Sequence, residues 1–157
     1  HVLETCATVD EAARVLRRIP AYMSYTFVVV DAQGSHTTAF LGPGRPAVFV
    51  DDRASTNHQG TIEWDRYDAF AGSSTRLERA KTLAASDIDP AAARRAMLAP
   101  PLWRDRYAAA SGSLYLAEYI PASRTMHLHW PGRSETLSVD EFQGRTIRVT
   151  LPAPLHR

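Results

Sequence analysis

The spacing of apolar residues in this chain changes in blocks, helical, then strand-like, then helical, then strand-like again. This segregation limits the fold more than any single motif. Thr8-Val-Asp-Glu11 has the form of a capping box, in which the Thr8 hydroxyl covers a free backbone amide and Glu11 reaches back to the cap residue. Val9, Ala12, Ala13, Val15, Leu16 and Ile19 then share one broad face, with Arg14, Arg17 and Arg18 outside it, until Pro20 stops the run. The spacing predicts an amphipathic helix of about three turns. Tyr25 to Asp31 is rich in β-branched and aromatic residues, Asp31-Ala-Gln-Gly34 reads as a turn, and His36 to Leu41 completes a hairpin. Gly42-Pro-Gly-Arg-Pro46 makes a second turn before a short strand, Ala47 to Val50, so an antiparallel meander is the expected topology.

Asp51 to Gly72 is polar and irregular and reads as a long loop, holding Ser55-Thr-Asn-His-Gln59 and then Trp64, Tyr67 and Phe70. Loops of this length are usually functional or disordered. Leu77, Ala80, Leu83 and Ala84 predict a helix over 74–85, and Asp89-Pro90, an N-cap followed by proline, opens another through Leu98. After Pro100-Pro101, residues 103–110 read as a short helical or irregular piece. Ser113 to Tyr119 alternates as a strand, Pro121-Ala-Ser-Arg124 turns it, Thr125 to Trp130 returns, and Thr146 to Leu151 is a final strand beyond Gly132. Helices and strands that are grouped rather than alternating argue for an α+β fold with antiparallel sheets and against a doubly wound parallel one.

At 157 residues the chain fits a single domain, residues 1–157, able to bury roughly two thirds of its unfolded surface. A hydrophobic fraction of 45% and a charged fraction of 22% argue against disorder and coiled coil. The net charge of +1 offers no basic stripe for nucleic acid. The longest strongly apolar run, Tyr25 to Val30, is far short of the ~20 residues of a membrane span. A single cysteine, Cys6, excludes an internal disulfide and a multi-cysteine zinc site, and the count is compatible with a cytoplasmic protein. The opening His-Val-Leu-Glu-Thr-Cys enters a helix almost at once and reads as a cut or processed end.

Several polar constellations bear on chemistry. Cys6, two residues before the Thr8 cap, has the placement of an activated thiol but no local His or Lys, and burial as scaffold is the simpler reading. His127 and His129 stand two apart on one strand and share a face, yet no third ligand accompanies them, so an exposed strand face explains them and no metal is assigned. Asp10-Glu11 and Asp51-Asp52 read as solvated pairs. A nucleophile elbow, a phosphate-binding loop, a Gly-rich dinucleotide turn and an H-E-x-x-H helix are all missing from the sequence, and no cofactor is expected. The Thr56-Asn57-His58 cluster stands out, because an Asn amide can donate to a developing oxyanion, although an Asx-turn gives the same residues a purely local role.

Leu3-Glu-Thr-Cys-Ala-Thr-Val-Asp-Glu-Ala12, Leu16-Arg-Arg-Ile-Pro20, Tyr25-Thr26 and Val30-Asp-Ala-Gln-Gly34 resemble the second half of the isopenicillin-N acyltransferase (penicillin acyltransferase-like) family. Thr56-Asn-His58, Arg76 to Leu83, Pro100-Pro-Leu102 and Ser111-Gly-Ser-Leu-Tyr115 resemble later family segments in the same order, so the likeness covers nearly the whole chain. The resemblance implies an Ntn-hydrolase αββα sandwich with antiparallel sheets, of which this chain supplies the C-terminal part. It also implies autocatalytic cleavage that frees an N-terminal cysteine, which attacks an amide or thioester and passes the acyl group to water or an amine. Asn57 would then be an oxyanion donor, and His58 and Ser113 would contact substrate. No residue here matches the nucleophile, which in the family lies upstream, and His1 is not a cysteine. The expected partners are therefore a nucleophile-bearing N-terminal half or subunit and a small amide or acyl thioester substrate, with no nucleic acid and no membrane and with homo-oligomerisation left open. The alternative is a non-catalytic binding or scaffold domain that retains the fold, and a third reading makes Cys6 a free-standing thiol catalyst.

Overall fold

The structure is a computed structural model that describes residues 1–60, 65–107 and 111–151. The chain divides into two compact units, His1–Ser86 and Asp87–Arg157.

The first unit opens with a single turn, α1 (Val2–Thr5), followed by α2 (Val9–Leu16). The capping box forms as the sequence predicts: the Glu11 amide donates to Thr8 Oγ1 at 3.3 Å, and Glu11 Oε2 accepts from the amides of Ala7 at 2.7 Å and Thr8 at 3.2 Å. These bonds hold the Glu11 carboxyl below the usual carboxylate range. The helix closes at Leu16, one turn short of the expectation, with Arg17 and Arg18 amides accepted by Ala13 and Val15 carbonyls. Val9, Ala12, Ala13 and Leu16 are buried.

The predicted meander is present as β1 (Tyr25–Val30), β2 (His36–Leu41) and β3 (Val48–Val50), antiparallel in the order β1-β2-β3. Tyr25 faces Leu41 and Val30 faces His36, so the register is set by the turn between them. Asp31 governs that turn: its carboxylate accepts the amides of Gln33 and Ser35 at 3.0 Å each, and that of Val9 at 3.2 Å, tying the hairpin to the start of α2. Gly34 adopts φ +87°, a conformation that L side chains resist. Leu16, Ala39 and Leu41 form the core of this unit, with Val2, Ala21, Val29, Ala47 and Phe49 packed around it.

The segment read as one long loop contains a helix, α3 (Asp65–Ala71), which abuts α4 (Ser73–Ala84) at Gly72. The periodicity misses α3 because the helix is stabilised by its junction rather than by an apolar face. Asp68 accepts from the Ser74 amide at 2.9 Å, from Ser74 Oγ at 2.8 Å and from Ser73 Oγ, supplying the cap that Gly72 lacks. Gly72 sits at φ +59° and lets the chain turn between the two helices.

The second unit begins with α5 (Pro90–Met97), capped by Asp89, whose Oδ1 accepts the amides of Ala91 at 2.9 Å and Ala92 at 3.0 Å. Two short strands, β4 (Asp105–Arg106) and β5 (Ser111–Gly112), pair with each other, and β6 (Leu116–Ile120), β7 (Thr125–Trp130) and β8 (Arg133–Ser138) form an antiparallel meander. Three expectations are corrected here. Within 103–110, read as a short helical or irregular piece, Asp105 and Arg106 instead form a strand paired with Gly112 and Ser111, while Trp103 and Arg104 are irregular, Tyr107 is in a 3-10 turn, and 108–110 lie outside the described residues. Ser113, Leu114 and Tyr115 belong to no strand, since Trp130 Nε1 donates to the Leu114 carbonyl at 2.7 Å and Tyr107 OH to the Ser113 carbonyl at 2.8 Å, bending the chain between β5 and β6. The last strand among the described residues is Arg133–Ser138 and not 146–151, because Gly132 at φ +76° returns the chain directly beside β7. Its polar Arg-Ser-Glu-Thr-Leu-Ser is the composition of a sheet edge.

Among the described residues no helix is long and apolar enough to cross a membrane.

Candidate functional site

The Thr56-Asn57-His58 loop is anchored residue by residue within the first unit. Thr56 Oγ1 donates to the Ser73 carbonyl at 3.2 Å and lies 3.4 Å from His58 Nδ1. Asn57 Oδ1 accepts from Arg76 Nη2 at 2.8 Å, and Arg76 Nε donates to the Ala71 carbonyl at 3.2 Å. Gln59 continues the attachment on the sheet side, its Nε2 donating to the carbonyls of Tyr25 at 2.6 Å and Leu41 at 3.1 Å while its Oε1 accepts from Arg45. The loop therefore bridges the ends of β1 and β2 and the α3–α4 corner. This network is not an Asx-turn: the Asn57 side chain bonds to a residue nineteen positions on.

Charge is arranged around the same corner. Hydrogen bonds from Ser73, then Ser74, hold the Asp68 carboxyl below the usual aspartate range, and His58 adds a smaller attraction through space. Asn57 is exposed, His58 half-buried and Ser73 buried. Because Arg76 occupies the amide oxygen of Asn57, the Asn57 NH2 group is the end of the amide left as a donor.

Ser113 belongs to the second unit. Its Oγ accepts the Arg104 amide at 2.9 Å and its own amide donates to the Arg104 carbonyl at 2.7 Å, a reciprocal pair that leaves the Ser113 hydroxyl proton for another acceptor.

The other candidates separate clearly. Cys6 is half-buried at the C-cap of α1 and borders a cavity of about 600 Å³ lined also by Glu11, Arg14 and Val15 of α2 and by Arg18 beyond it. Its Sγ lies 3.7 Å from Thr5 Oγ1. Asp51 Oδ1 lies 2.9 Å from His36 Nε2 without hydrogen-bond geometry, and Asp52 pairs with Lys81 at 3.5 Å, so the two carboxylates of the second acidic pair face different neighbours. His127 and His129 do share a face, ring centroids 6.0 Å apart, but His129 is buried rather than exposed. Its Nε2 meets Glu118 Oε2 at 2.8 Å and its Nδ1 meets Ser134 Oγ at 2.7 Å. Both ring nitrogens are thus occupied, and among the described residues no group of His, Cys, Asp and Glu is placed to hold a metal.

A family model described as acyl-coenzyme A:6-aminopenicillanic acid acyl-transferase matches residues 1–135. The chain belongs to that family. The matched span of this acyl-transferase relative contains the Thr56-Asn57-His58 loop, its α3–α4 support and Ser113, and ends within β8. No match was found among curated proteins or among solved structures. Membership in the acyl-transferase family points to acyltransferase or hydrolase activity.

Proposed function

We propose that this chain is the C-terminal part of an Ntn-type αββα sandwich. In this reading it works with a polypeptide carrying an N-terminal cysteine, which forms an acyl-enzyme on a linear amide or acyl thioester. The observation that carries the reading is the bond from Arg76 to the Asn57 amide oxygen, which leaves the NH2 group of an exposed side chain on an anchored loop as the available donor. A preorganised donor of this kind stabilises the charge that develops on the carbonyl oxygen as the nucleophile attacks, worth about 2.7–4 kcal/mol in the barrier. His58, half-buried beside Asn57, and Ser113 are assigned to substrate contact. Family membership supports acyl transfer, and the two antiparallel meanders are compatible with the sandwich.

The test is co-expression with the upstream coding region, N-terminal sequencing of every polypeptide that co-purifies, and assay against acyl-coenzyme A thioesters and N-acyl amides. A partner beginning with cysteine, and an acyl adduct on it by intact mass, are expected. With Asn57→Ala, kcat falls on the order of 100- to 1000-fold. Wild-type protein that co-purifies with no such partner and is inert toward the whole panel would instead support a binding or scaffold role.

A further inference from the structure

We infer that Arg76 is the positioning residue for Asn57, fixing which end of its amide is presented to the substrate; the inference rests on the oxyanion reading above. A guanidinium carries five donors and no acceptor, so the Asn57 amide can meet it only through Oδ1. The opposite rotamer would set the NH2 group against the Nη2 hydrogens, donor against donor. At 2.8 Å the bond is short for N–H···O, as expected for a charged donor. It also polarises the amide, drawing electron density toward Oδ1 and making the N–H groups at its other end stronger donors.

Arg76 is suited to this by how it is itself held. It lies in the first turn of α4, its amide donating to the Gly72 carbonyl at 3.0 Å, and its Nε to the Ala71 carbonyl at 3.2 Å at the end of α3. Two fixed points, backbone and Nε, leave the Nη2 direction little freedom. On the other side of Asn57, the Thr56 hydroxyl bonds to the Ser73 carbonyl at 3.2 Å, so the loop backbone and the guanidinium are referenced to one helix junction. An aspartate at position 57 would bond to Arg76 more strongly and have nothing to donate, which gives a reason for the amide.

The test uses the complete protein with its nucleophile-bearing polypeptide and the fastest substrate of the panel. Arg76→Met is expected to lower kcat roughly tenfold to a hundredfold with KM little changed, and Arg76→Lys, which keeps a cationic donor, to recover part of the loss. In an Asn57→Ala background Arg76→Met should cost much less than it does in the wild type, because the amide that it orients is gone. If Arg76→Met fails to fold, the same comparison is made with Arg76→Lys alone and in the Asn57→Ala background. Full activity in the Arg76 variant, a rise in KM alone, or an undiminished loss in the Asn57→Ala background would overturn the role of Arg76. An Asn57→Ala protein with unchanged kcat would instead overturn the oxyanion reading itself.

Discussion

His129 reaches Glu118 at 2.8 Å along a diagonal of the second sheet, since the residue directly opposite Glu118 is His127. Glu118 Oε2 also accepts from Arg94 Nε at 3.2 Å and Nη2 at 3.1 Å, so one carboxylate oxygen joins α5, β6 and β7. The Glu118 side chain is 30% exposed and that of Arg94 35%, which weakens the attraction through solvent screening. Glu118→Ala is expected to destabilise the protein by about 1–2 kcal/mol, read from urea unfolding.

Acid sensitivity follows from the same group. Burial works to raise the Glu118 pKa, but the hydrogen bonds from His129 and Arg94 outweigh it and hold the carboxyl below its ordinary value of 4.5. A carboxyl depressed in the folded state contributes its full stability above 4.5, and loses it as pH falls through the folded value. Asp68 and Glu135 are shifted the same way, by the serines at the α3–α4 junction and by Arg133. Stability should therefore decline below about pH 4.5, and Glu118→Gln should flatten that decline; an unchanged pH profile in the variant would remove Glu118 from the account.

Loss of the Thr8 hydroxyl tests the helix start. Thr8→Ala removes the acceptor for the Glu11 amide and should cost about 1 kcal/mol, visible as a lowered Tm. Thr8→Ser should restore most of it.

Gly112 tests the bend before β6. A Cβ at this position would run into the Tyr107 ring, whose hydroxyl is bonded to the Ser113 carbonyl. Gly112→Ala should destabilise by about 1–3 kcal/mol, while Gly112→Ala with Tyr107→Leu should recover part of the loss.

Local chemistry was readable without coordinates. The Thr8–Glu11 box, the Asp31–Gly34 turn and the Asp89-Pro90 cap each complete their bonding within a few residues, apart from the one bond by which Asp31 reaches Val9, and each appears where its residues predict. The α3 helix and β8 were not readable. One is stabilised by Asp68 at a helix junction and the other by pairing at a sheet edge, so neither carries a strong apolar period.

The candidate site divides along the same line. The sequence by itself determined the α+β class, the first meander and the presence of an Asn between Thr56 and His58, because apolar period, turn residues and residue type are properties of short segments. Only the tertiary structure decided which atom of the Asn57 amide meets Arg76, that Asp68 and not a local residue caps α4, and that His129 is buried against Glu118. Hydrogen bonds joining residues six, eleven or nineteen positions apart depend on where separate elements come to rest, and no local pattern encodes that.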